Sequence, residues 1–171
     1  MIVVADATPL IGLAKAGRFH LLKEIFGKIY IPVGVYEEVV VEGRGRAGAR
    51  EVNEATWIET VEVKDRLAVE LLKDELDKGE SESIVLAKEL EANWVLMDER
   101  TARRKLEALG IDKIGTLGIL LKAKEMGLLE SIKPEMDKLR AKGFRISRRV
   151  YQEVLKLAKE AEHVLPEQEA G

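Results

Sequence analysis

The chain has 171 residues, 46% hydrophobic and 35% charged, with a formal net charge of −3. This length fits one domain, or one domain with a small appendage. The near-cancelling charge excludes a uniformly basic nucleic-acid coat and leaves room for a local basic patch. Cysteine is absent and His20 and His163 are the sole histidines, which excludes disulfides, thiolate catalysis and Cys-based zinc sites and argues against a His-rich metal site within one chain.

The opening MIVVADATPLIGLAKAG has no basic leader, and Asp6 interrupts its apolar run. It reads as a first strand and helix rather than a signal peptide. No run of about 18 apolar residues occurs, so no membrane span is expected and the protein is placed in the cytoplasm. Abundant Glu, Lys and Arg with few Asn and Gln is the composition of heat-stable proteins.

Residues 2–5 are a β-branched run, read as a buried strand ended by Asp6. Thr8 and Pro9 open a helix that Gly17 stops, and a second helix covers 19–26 up to Gly27. Residues 28–31 form a second strand closed by Pro32. A helix is expected over 33–41, a Gly-Arg loop over 43–48, a helix over 50–55 and an exposed strand over 58–63. Helix returns over 65–76. Ser81 or Ser83 can cap a helix over 82–91. Residues 94–97 are a buried strand ending at Asp98, followed by a charged helix to Leu109 and a brief strand over 111–114. Thr116 can cap the next helix, and two more are expected over 133–141 and 148–162, before a frayed tail, EQEAG. Strands alternating with helices imply right-handed βαβ units and a mostly parallel sheet. The expected organisation is an α/β domain over 1–130 and a helical C-terminal extension over 131–171.

In open parallel sheets ligands bind beyond the carboxyl ends of the strands. Two strands here end in a carboxylate, Asp6 and Asp98, which places both at one sheet edge. Glu38 sits on the helix after the second strand, and Glu80 and Glu82 lie near the start of a later helix. Residues 80 and 82 point differently on one helix, so one of the two reaches the cleft. Clustered carboxylates repel unless a cation neutralises them. A hard ion such as Mg²⁺ or Mn²⁺ takes oxygen ligands, and its bound water can become a nucleophile suited to phosphodiester hydrolysis.

In this order the acids resemble the PIN-domain superfamily. IVVADATPLIGLAKAG resembles its first strand and aspartate, IPVGVYEEVV the segment with its first glutamate, GESESIVLAKEL the segment with its third acid, and WVLMDERTARRKLEALG the last strand with its aspartate. The wording around GESES, DERTARR and IGTLGILLKAKEMGLL resembles a poorly characterised prokaryotic branch with a helical C-terminal extension. The resemblance implies a three-layer α/β/α fold with about five parallel strands. It implies a metal-dependent ribonuclease related to toxins of the VapC type, with Mg²⁺ or Mn²⁺ held by Asp6, Glu38, Glu82 and Asp98 and supported by Thr8 and Thr116. RNA substrate, an antitoxin partner and a homodimer are the implied associations. A catalytically weak PIN-like binding or regulatory module is the alternative.

Arg100, beside Asp98, is placed near the cleft and could grip RNA phosphates. Arg44, Arg46 and Arg50, and the cations of 140–149, read first as solvated faces. Gly43, Gly45 and Gly48 spell G-x-G-x-x-G, but the segment before them fits a helix better than a buried strand, so a mobile loop is expected rather than a dinucleotide site.

Overall fold

The computed structural model describes residues 1–161. The EQEAG tail and His163 lie outside the described residues. The chain divides into two compact units, Met1–Ile119 and Leu120–Gly171.

In the first unit, five strands run β1 Val3–Ala5, β2 Ile29–Pro32, β3 Ile58–Val61, β4 Trp94–Leu96 and β5 Asp112–Ile114. They form one sheet in the order β3-β2-β1-β4-β5, and every pairing is parallel. Helices flank this sheet in an α/β/α arrangement, as crossovers between parallel strands require. The connecting helices are α1 Ala7–Lys15, α2 His20–Phe26, α3 Val33–Tyr36, α4 Ala49–Glu54, α5 Arg66–Leu72, α6 Lys78–Leu90 and α7 Arg100–Ala108.

The central strands are apolar throughout because both faces are covered. Val3, Val4, Ala5, Ile29, Ile31, Val95 and Leu96 are fully buried. Val4 and Val95 join Val69, Ile84, Leu86 and Leu106 in one core cluster. Leu10, Leu13, Leu21 and Leu22 are buried on α1 and α2. Each such leucine stabilises the fold by roughly 2 kcal/mol. β3, at the sheet edge, is exposed at Glu59 and Thr60 and ends at Val61, short of the expected residue 63.

Two elements differ from expectation in ways that shape the site. The segment expected as one helix over 33–41 is a single α-turn, α3, running into a π-helical segment, Glu37–Glu42. Such wide turns concentrate at functional sites. The helix expected to start at residue 82 begins a turn earlier, at Lys78, capped by Asp77 rather than a serine. Ser83 instead donates to the Gly79 carbonyl at 2.7 Å.

α8, Thr116–Glu125, spans the division, which falls earlier in the chain than the expected boundary after residue 130. The second unit contains α9 Lys133–Ala141, as expected, and α10 Arg148–Leu157, shorter than expected. Glu160 ties the unit together: it accepts from Lys124 Nζ at 2.8 Å, Ser131 Oγ at 2.5 Å, and the Ile132 and Lys133 amides at 2.9 and 3.1 Å. These donors hold its carboxyl down at about 2 against the cost of burial. Among the described residues no helix is long and apolar enough to cross a membrane.

Candidate functional site

Asp6 follows β1, and its amide donates to the Leu96 carbonyl at 3.0 Å, extending the ladder with β4 by one step. Its backbone caps α1, but its side chain makes no capping bond. The carboxylate lies against the first turn of α6, beside Gly79, while only 3% exposed. Burial raises its pKa well above the ordinary aspartate value; the Ala7 amide opposes this, and Asp77, Glu80 and Glu38 add like charge.

Glu38 is carried by the π-helical segment and is half-buried. Burial again leads in raising its pKa, followed by Asp77, Glu42 and Glu80. Glu80 belongs to a reciprocal cap at the start of α6: its amide donates to Asp77 Oδ1 at 2.7 Å, and its own Oε1 accepts from the Asp77 amide at 3.0 Å. Burial raises its pKa, the Asp77 amide opposes, and Asp77 and Glu99 repel it. Among the described residues no cation pairs with Asp6, Glu38 or Glu80.

Gly79 reports how closely these acids converge. A Cβ on it would lie 3.1 Å from Glu38 Oε1 and 3.4 Å from Asp6 Oδ1. Two acidic side chains, from β1 and from the π-helical segment, thus crowd one point on the first turn of α6.

Asp98 lies beyond β4, two residues after Leu96, the register partner of Ala5. It accepts from the Thr116 amide at 2.9 Å and Thr116 Oγ1 at 2.7 Å. Thr116 is fully buried and serves Asp98 rather than α8. Burial raises the Asp98 pKa, against the Thr116 bonds and the nearby Arg103. Arg103 Nη1 also donates to the Met97 carbonyl at 2.8 Å, fixing the strand end. Asp98, Arg100, Arg103, Arg104, Glu107 and Lys113 line a cleft of about 390 Å³, so Arg100 does stand beside Asp98.

Glu82 has other partners. It is 1% exposed; Oε1 accepts from the Gly34 amide at 2.8 Å, and Oε2 from Arg66 Nη1 and Nη2, both at 3.2 Å. Two residues along a helix turn the side chain by roughly 200°, so Glu80 and Glu82 cannot both face Asp6. It is Glu80 that the structure brings into the charge environment of Asp6 and Glu38. Thr8 is exposed. Sequence reasoning missed Asp77, Glu99 and Arg66. Asp77 was detectable as the first residue of the D-x-x-E capping box DKGE, and Glu99 as the acid adjoining Asp98.

Among the described residues, no group of three or more acids and histidines already stands at metal-binding distances. The donor chemistry nevertheless suits a hard divalent cation: carboxylate oxygens from three elements, charge-repelled and lacking a cationic partner.

The family model described as PIN domain matches residues 2–160. No curated protein matches the chain.

Proposed function

The chain belongs to the PIN-domain family, and from that premise we propose that it is a Mg²⁺- or Mn²⁺-dependent endoribonuclease whose ion is held by Asp6, Glu38, Glu80 and Asp98. Membership supports nuclease-like hydrolysis of nucleic acid in general, by a family that typically uses divalent metals. RNA as substrate and the ligand set are the finer reading.

The observation that carries it is the position of Asp6. A buried carboxylate surrounded by Asp77, Glu80 and Glu38 and lacking a cationic partner is costly unless a cation offsets it. When bound, the ion would lower the pKa of a water and neutralise charge on the scissile phosphate. The chain's own residues would do the rest. Thr116 holds Asp98 in place. The Asp77–Glu80 capping box fixes the helix start that presents Glu80. Arg100 and Arg104, exposed beside Asp98, would draw the phosphate backbone to the cleft. Glu82, with its oxygens committed to Gly34 and Arg66, would brace α3 and thereby the segment bearing Glu38.

The test is cleavage of structured and unstructured RNAs with Mn²⁺ by wild type and Asp6→Asn. Cleavage that needs the metal and is lost in the variant supports the reading. Intact RNA with folded wild type favours the alternative, a PIN-like binding module, which the absence of a preassembled acid cluster among the described residues also favours.

A protein partner, either a second copy of the chain or an antitoxin, has one surface in its support. A groove lined by Leu71, Leu72, Ile84, Val85 and Leu109 lies beside exposed Leu67, and Leu71 is itself 67% exposed.

A further inference from the structure

We propose that the α9–α10 corner of the second unit is a separate RNA-binding surface that takes the sugar–phosphate backbone of single-stranded RNA at Lys142, Arg145 and Arg148. Between Asp137 and Glu153 every charged residue is a cation, in a chain whose net charge is −3. Lys142, Arg145 and Arg148 are exposed, and none of their side chains has a hydrogen-bond or ion-pair partner among the described residues. The others are engaged: Lys138 with Glu135 at 3.2 Å, Arg140 with the Ile146 carbonyl and Arg149 with Glu153 at 3.3 Å.

The corner is built rather than loose. Gly143 adopts φ 88°, and the amides of Gly143 and Phe144 close α9 on the Arg140 and Leu139 carbonyls at 3.1 and 2.9 Å. Arg140 Nη2 donates across the turn to the Ile146 carbonyl at 3.0 Å, and its guanidinium lies 4.0 Å from the centre of the Tyr151 ring. Tyr151 in turn donates to Asp137 Oδ1 at 2.6 Å. One arginine therefore stiffens the turn and leaves its neighbours displayed.

The placement of those neighbours is unfavourable for the protein alone. Arg148 and Arg149 occupy the first turn of α10, which contains no acid, where the helix dipole disfavours cations. An anion at this end reverses that penalty. Because the cations spread over a turn and a helix start rather than lining one pocket, an extended polyanion fits them better than a single phosphate. A nonspecific backbone grip of this kind is read out as salt dependence.

That the polyanion is RNA rests on the RNA reading of the metal site, and measurement in EDTA separates the two. Fluorescence anisotropy of a fluorescein-labelled oligouridylate would compare the full-length wild type with the triple variants Lys142→Glu/Arg145→Glu/Arg148→Glu and Lys142→Ala/Arg145→Ala/Arg148→Ala, and with the control Arg44→Ala/Arg46→Ala, which removes two exposed cations of the first unit. Both triple variants, folded by circular dichroism, are expected to bind on the order of tenfold or more weakly at low salt, with a salt slope shallower by about 2, while the control binds as wild type. Unchanged affinity and slope in the triple variants would overturn the proposal, and so would an equal loss in the control.

Discussion

Glu82 Oε1 accepts the Gly34 amide hydrogen at 2.8 Å, joining the second turn of α6 to the start of α3. Gly34 makes the approach possible: a Cβ there would lie 3.0 Å from the same oxygen and 3.3 Å from the other. Because α3 leads directly into the segment carrying Glu38, this bond sets where Glu38 stands.

Glu80→Ala and Glu82→Ala should therefore fail differently. Glu82→Ala leaves a buried amide and Arg66 without their acceptor and is expected to cost about 2–3 kcal/mol. Glu80→Ala removes half of a capping box and should cost about 1 kcal/mol or less, yet it should weaken Mn²⁺ binding more. Thermal melts paired with Mn²⁺ titrations separate the two. Full Mn²⁺ affinity in Glu80→Ala, with loss in Glu82→Gln, would return Glu82 to the ligand set.

Gly79→Ala places a methyl 3.1 Å from Glu38 Oε1 and 3.4 Å from Asp6 Oδ1. Alanine is favoured over glycine within a helix by about 1 kcal/mol, so the variant should melt no lower than wild type in EDTA. Its Mn²⁺ affinity should fall by an order of magnitude or more, about 1.4 kcal/mol. A variant that binds the ion normally would place the site elsewhere.

Most of the fold was legible in the sequence, and the reasons lie in particular residues. The β-branched run before Asp6 and the apolar run Trp94–Met97 before Asp98 specified two adjacent inner strands and put both aspartates at one edge. Lys133 and Ala141 bound a helix that follows ordinary propensity. The start of α6 was misplaced because Gly79 reads as a helix breaker. It is retained inside the helix, where a larger residue would press on Glu38 and Asp6. The π-helical segment was hidden because its apolar spacing, with Val35 and Val39, serves an α-helix equally well. The choice between Glu80 and Glu82 depends on where α6 begins, and that start was placed one turn too late.

The raised carboxyl groups predict a pH dependence. An acid whose folded pKa is raised keeps its proton where the unfolded chain has released it, so its contribution to stability falls as pH rises from the ordinary value through the raised one. Asp6, Glu38, Glu80 and Asp98 all act in this direction. In EDTA the melting temperature should fall from mildly acidic to neutral pH, and Asp6→Asn should flatten the fall and melt higher at neutral pH. Glu160 acts oppositely: its contribution is present above its ordinary value of 4.5 and is lost as pH drops through about 2. Glu160→Gln should therefore destabilise at neutral pH and matter little in strong acid. A pH profile of the melting temperature unchanged from wild type in both variants would contradict these assignments.

Thr116→Val removes the hydroxyl that reaches Asp98 at 2.7 Å while keeping its shape. The expected cost in stability is about 1 kcal/mol. With one stabilising bond gone, the Asp98 carboxyl should titrate higher and Mn²⁺ should bind more weakly at mildly acidic pH than at neutral pH, compared with wild type. Binding identical to wild type across that range would remove Asp98 from the ion's surroundings.

The most direct test is calorimetric titration of Mn²⁺ into the wild type, Asp6→Asn and Glu80→Gln, with folding verified by circular dichroism. The account predicts a site in the wild type that is lost in Asp6→Asn and weakened in Glu80→Gln. Wild-type affinity retained in Asp6→Asn, or no binding to the folded wild type even with a non-cleavable oligonucleotide present, would contradict it.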